Sequence, residues 1–211
     1  LGHEIDPREM PGDWPHGFFA RRTQGPLDPT LPDNRGEMFL TNEGLRDWAY
    51  ELTRDVQIPD SEAMAEERAS YRNYPNAQRP PFVLKGGHMA AMTFWHGKLM
   101  NDWANDYVAF WSEGESNFVT SAMEETGTFQ SITYLDNIGR VDKDRFMVLR
   151  AGSNYTMPPD GNSAAENLLS ENKNGYSGLA VAVESLYQVG SVVVDELLGN
   201  WPRYAAEVPG S

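Results

Sequence analysis

Asn117-Phe118-Val119-Thr120 runs within a few residues into Met123-Glu124-Glu125-Thr126-Gly127, and the class of fold follows from how that junction is read. Phe, Val and Thr favour a pleated, half-buried strand. Beyond the acidic pair, Phe129, Ile132 and Leu135 recur at the spacing of one helix face. A strand feeding a helix this quickly is the βα half of a layered α/β unit. Upstream, Phe82-Val83-Leu84-Lys85 reads as a strand closed by Gly86-Gly87, a pair that permits close backbone approach. Met100, Trp103, Tyr107, Phe110 and Trp111 then form an aromatic helical stripe suited to a core or an oligomer contact. Downstream, Arg145 to Ala151 carries Phe146-Met147-Val148-Leu149 and reads as a third strand, ending at Gly152-Ser153-Asn154. The last element is a long helix, with Tyr176, Leu179, Ala180, Val183, Leu186, Tyr187, Val193, Val194, Leu197 and Leu198 in helical period before Trp201-Pro202.

Ahead of these lies a helix with Leu45, Trp48, Ala49, Leu52 and Val56 on one face, capped by Thr41 or Asn42 and broken at Pro59. Residues 60–80 are a polar connection. Residues 1–40 hold Pro7, Pro11, Pro15, Pro26, Pro29 and Pro32, and read as an extended arm of a single domain spanning 1–211. The 211 residues are 40% hydrophobic, enough for a core. Thirty-one acidic against 17 basic residues give a net charge of −14, which repels phosphate backbones, so nucleic acid is not an expected partner. Cysteine is absent, excluding disulfides and thiolate nucleophiles and leaving the compartment open. No apolar run approaches the roughly 20 residues of a membrane-spanning helix, and a soluble chain is expected. The chain opens at Leu1 with no signal-peptide pattern, which suits a processed product or a fragment.

In open α/β sheets ligands gather beyond the carboxyl ends of strands. Three stretches lie there: Gly86 to Trp95, Met123 to Gly127, and Gly152 to Thr156. The second offers carboxylates that can accept from vicinal hydroxyls; the third offers a hydroxyl and an amide that donate and accept together. A polyol joined to a heterocycle suits that inventory. The alternative is that Glu124 and Glu125 merely favour a helix start, where acidic side chains are stabilising. His88 and His96, eight apart, lack the spacing of a zinc helix, and neither metal nor cofactor is expected. His88 reads as a structural histidine or a ligand gate. Asn154-Tyr155-Thr156 is formally a glycosylation sequon, a role that a pocket position for Asn154 would exclude. Asn101, Asp102 and Asn105 read as pins of a loop or helix start.

Met123-Glu124-Glu125-Thr126-Gly127 resembles the Met-Glu-x-x-Gly of nucleoside phosphorylases, and Leu149 to Asn154 resembles their strand ending in Ser-Asp. Longer motifs resemble the purine nucleoside permease family. They are Glu4-Ile5-Asp6-Pro7-Arg8-Glu9-Met10-Pro11, Phe94-Trp95-His96-Gly97, Met100-Asn101-Asp102-Trp103-Ala104-Asn105, Ser153-Asn154-Tyr155-Thr156-Met157-Pro158-Pro159, and Val189 to Leu197 followed by Asn200-Trp201.

That resemblance implies a nucleoside phosphorylase-like three-layer α/β/α sandwich with a mixed central sheet, of which this chain is the C-terminal part. A preceding segment or second chain would complete the fold. It implies a purine nucleoside as ligand, a role in nucleoside uptake, and a periplasmic or secreted location, the cytoplasm staying open. Position by position, Met123 would pack on the ribose and Glu124 accept its hydroxyls. Ser153 and Asn154 would face the purine, with Met89 near the base. The rival reading is a phosphorylase or hydrolase cleaving the N-glycosidic bond, with phosphate as co-substrate and Asn154 as the catalytic residue at the leaving base. Against it, an amide delivers no proton, and Ala122 stands where several phosphorylases carry a further glutamate. A third reading is a non-catalytic module in which the stripe Trp103 to Trp111 builds a homo-oligomer.

Overall fold

The computed structural model describes residues 3–6, 8–15, 17–19, 38–90 and 95–211. The expected arm at 1–40 and the glycine-led loop through 91–94 lie largely or partly outside them. Two short antiparallel strands, β1 (His3–Glu4) and β2 (Phe18–Phe19), come first. Helices α1 (Glu43–Thr53) and α2 (Glu62–Ala69) follow. The centre of the fold is a βαβ unit: β3 (Gly87–Ala90), α3 (Lys98–Trp111) and β4 (Phe118–Ala122), the two strands parallel. Helix α4 (Glu125–Asn137) leaves β4 directly, and α5 (Ala164–Asn174), α6 (Leu179–Gly199) and α7 (Trp201–Tyr204) end the chain. The class is α/β, rich in helix.

Asn42 caps α1, its side chain accepting from the Leu45 amide at 3.0 Å. Leu45, Ala49 and Thr53 form the buried face of α1, and Ala182, Ser185, Val189 and Val193 that of α6, against which α1 lies. The aromatic stripe of α3 is core. Ala104 and Trp111 are buried, Trp103 stacks on Tyr107 with ring centroids 5.1 Å apart, and Phe18 reaches in from β2 to lie 5.3 Å from Tyr107. Ala104 also closes on Met89 of β3 and on Trp95.

Two expected strands differ in the structure. The first begins at Gly87, where the sequence pattern predicts its end. Gly87 opens the ladder by donating to the Asn117 carbonyl at 2.7 Å, and a Cβ there would lie 2.4 Å from Val108 Cγ1. The close approach to a neighbour therefore takes place inside the strand. Residues 82–85 are held by side chains instead: Arg79 lies over the Phe82 ring at 3.6 Å, and Lys85 Nζ donates to Asp47 of α1 at 2.8 Å. The third strand, 145–151, is not formed. Lys143–Arg145 make a 3₁₀ turn, Arg145 donates to Asp142 at 3.0 Å and to the Tyr204 carbonyl at 2.6 Å, and Phe146 meets Phe129 at 5.1 Å. A strand needs a ladder partner, and this segment has none among the described residues. Helix α5 is an addition to the expected elements, although Ser163 and Glu166 form a capping box at its start.

Among the described residues no single helix is long and apolar enough to cross a membrane; α5 and α6 pass by length and composition only as a pair bent by 79°. No group of three or more His, Asp or Glu among them is placed to hold a metal ion.

Candidate functional site

Side chains alternate across a strand, and β3 sorts its two candidates by that rule. Met89 faces α3 and is buried with Trp95 and Ala104. It is a core residue, on the opposite side of β3 from His88. His88 faces the start of α4, with Nδ1 2.8 Å from Thr120 Oγ1 of β4 and Nε2 2.8 Å from Glu125 Oε2. Arg150 closes the group, pairing with Glu125 through Nε and Nη2 and with Glu124 Oε2 through Nη2 at 2.5 Å. A connected polar cluster thus runs from the middle of the strand pair, at His88 and Thr120, to the carboxyl end of β4, at Glu124 and Glu125, with Arg150 closing it.

The two glutamates are not equivalent. Glu125 is 11% exposed and engaged on both sides, whereas Glu124 is 66% exposed and held by Arg150 alone apart from a long contact to its neighbour's amide. Glu124 makes no side-chain cap of α4, so the helix-start role falls to Glu125 in the first turn. Burial pushes the Glu125 carboxyl up, but the His88 hydrogen bond and the helix-start amides outweigh it and leave it below the ordinary range. The hydrogen bond from Arg150 likewise holds the Glu124 carboxyl low. Both are acceptor-only at neutral pH. Met123, 50% exposed, stands beside them.

Ser153 and Asn154 lie in a second group, in the loop between Arg150 and α5. That loop is pinned from several directions. The Gly97 amide donates to the Thr156 carbonyl at 2.8 Å, and Thr156 Oγ1 donates to Asn101 Oδ1 at 2.6 Å. Tyr155 donates to the Ala77 carbonyl at 2.9 Å and Tyr71 to that of Met157 at 3.1 Å, their rings 4.5 Å apart. Burial raises both phenols, Tyr71 strongly. The Gly178 amide, just ahead of α6, donates to the Ser153 carbonyl at 3.0 Å. Asn101 is therefore the loop pin that the sequence suggested. Sequence reasoning misses Glu171, His96 as its partner, and Arg150; only the capping box of α5 signals the helix on which Glu171 sits.

A Cβ at Gly178 would stand 2.7 Å from the Ser153 carbonyl oxygen and 3.0 Å from its carbon, both backbone atoms that cannot swing aside. Gly178→Ala is expected to cost about 1–3 kcal/mol, as overpacking does, by displacing the backbone at Ser153. Gly199→Ala, with nothing within 4 Å, is the neutral control. Thermal melts of both variants check this, and equal effects would sink it.

A parallel strand pair joined through α3, with a polar cluster reaching the end of β4 where α4 begins, defines this as an α/β protein. The sequence profile of the purine nucleoside permease (NUP) family matches residues 1–209, and the chain belongs to that family. It is similar to a purine nucleoside permease of Candida albicans, 29% identical over 194 residues, which are 90% of this chain and 46% of that one. It is also similar to a probable purine nucleoside permease of Schizosaccharomyces pombe, 26% identical over 164 residues, 78% of this chain and 46% of that one. The chain spans about half the length of these curated relatives. No solved structure matches it with statistical significance.

Proposed function

We propose that this chain is the nucleoside-recognising part of a purine nucleoside permease, acting in uptake by capture of the ligand at the carboxyl ends of β3 and β4. The observation that carries the reading is Glu124: an exposed carboxylate, kept ionised by Arg150, directly after a parallel strand and beside exposed Met123. Glu124 accepts the ribose hydroxyls and Met123 covers the sugar. Ser153 and Asn154 read the base, and Met89 supports the site from the core side of β3. An apolar surface with a few fixed polar groups is the usual design for recognising such a ligand.

The fold that goes with this reading is a nucleoside phosphorylase-like α/β/α sandwich in which residues 1–211 form one domain. A strand-bearing segment covers the outer edges of β3 and β4, and a further layer covers the exposed face of α6 at Val183, Tyr187, Val194 and Leu198. A two-stranded sheet is too small to stand alone. The family's relatives are long enough to supply those parts. Capture outside the cytoplasm suits an uptake role.

Calorimetric titration with inosine, adenosine and guanosine, followed by reversed-phase chromatography of the mixtures with and without phosphate, tests the reading. Saturable binding with the nucleosides recovered intact is expected. No binding would overturn it, and release of free base would replace it with glycosidic cleavage.

A further inference from the structure

Behind Asn154 sits a polar group that the ribose cluster does not touch. Glu171 of α5 is 14% exposed and His96, just before α3, is 2% exposed, with His96 Nε2 3.2 Å from Glu171 Oε2. Asn167, one turn earlier on α5, places Nδ2 3.2 Å from His96 Nδ1 and 3.4 Å from Glu171 Oε1. An amide nitrogen can only donate, so Nδ1 of His96 is the acceptor and Nε2 carries the hydrogen. The Asn154 Nδ2 atom lies 3.4 Å from each Glu171 oxygen and 3.4 Å from the Tyr155 carbonyl. Glu171 is thus the common acceptor for two side-chain amides, with His96 Nε2 as its close neighbour.

That arrangement admits one orientation of the Asn154 amide. Turned over, its Oδ1 would face three acceptor oxygens. As it stands Nδ2 faces three acceptors at 3.4 Å, and Oδ1, which has a single contact from Ser153 Oγ at 3.4 Å, is the end left for a ligand. We infer that Glu171 is a positioning residue that locks Asn154 as a hydrogen-bond acceptor, so that the site selects purine nucleosides whose base offers an N–H donor. This rests on the reading of Asn154 as the base contact. Inosine, guanosine and adenosine each carry such a donor; purine riboside carries none. A site built to receive a donor rejects an analogue lacking it, because its own polar group is left unpaired.

The test is calorimetric binding of inosine and purine riboside to the wild type, Glu171→Gln and Asn154→Ala. The wild type is expected to favour inosine by at least about tenfold. In Glu171→Gln the new side chain has one acceptor oxygen for the two amides and offers Asn154 a donor as well, so Asn154 is free to turn over. The preference should then shrink to within about threefold, with purine riboside binding unchanged. Asn154→Ala should lose the preference as well. If Asn154→Ala loses it and Glu171→Gln keeps it, or if Glu171→Gln weakens both ligands equally, the positioning role is overturned while base reading by Asn154 stands. If Asn154→Ala keeps it, or the wild type binds neither ligand, the underlying reading falls and this inference with it.

A second measurement needs no variant. Burial raises the Glu171 carboxyl against the lowering effect of His96, Asn154 and Asn167, while Glu67 and Tyr71 of the α2 side also face it. As pH falls through that raised value the carboxyl becomes a donor, and the wild-type preference for inosine should fall while purine riboside affinity holds. A preference constant with pH down to the unfolding range would overturn the inference.

Discussion

Glu124→Gln is expected to weaken nucleoside binding at least about tenfold while leaving free purine base nearly unaffected, because only the nucleoside carries the diol. Arg150 keeps Glu124 ionised, and an ionised carboxylate is acceptor-only, so both oxygens suit the two ribose hydroxyls. A glutamine keeps the shape but exchanges one acceptor for a donor, which opposes Arg150 and removes the charge that strengthens the bonds from the hydroxyls. The control belongs at Glu115, which is exposed after α3. Glu125 is unsuited to that role, since it is bound to His88 and Arg150, although sequence reasoning alone points it away from the ligand and makes it the neutral neighbour. Calorimetry with inosine and hypoxanthine decides: equal losses for both ligands, or no loss at Glu124, would retire the ribose assignment.

Glu125→Ala should be the most destabilising of the charge substitutions, by about 2–3 kcal/mol, because it strands His88 and the partly enclosed Arg150 without their shared acceptor. The sign with pH follows from the lowered Glu125 carboxyl. Its contribution is complete above the ordinary value of 4.5 and is lost as pH falls through the lower folded value. Urea unfolding at a series of pH values should therefore show wild type and variant converging in acid. A loss below about 0.5 kcal/mol at neutral pH, or a gap that stays constant into acid, would show that the cluster stores no stability.

The boundaries that sequence makes legible are those with a local cause. Asn42 precedes an amphipathic run and caps α1; β4 is a β-favouring run that ends where its acidic pair begins; the aromatic stripe of α3 closes on itself by helical spacing. Helix α6 keeps one apolar period to Gly199. Residues 145–151 depart from expectation because an apolar run states only that a segment can pair; whether it pairs depends on a neighbour elsewhere in the chain. Residues 82–85 depart for a related reason: the ladder starts at the Asn117 carbonyl, and that atom pairs with Gly87.

The sequence by itself determined the α/β class, the order of most of the helices and the membership in the permease family, since periodicity and extended motifs are properties of neighbouring residues. It also marked Met123 and Glu124, and Ser153 and Asn154, as candidate contacts that follow β-favouring runs. Only the tertiary structure decided which glutamate is enclosed, that Met89 belongs to the core, and that Arg150 joins Glu124 to Glu125 from 25 residues away. It alone brought Glu171 behind Asn154, 17 positions earlier. Hydrogen bonds and burial between distant segments arise from packing, and packing of β3, α3 and α5 is not written in the spacing of any one of them.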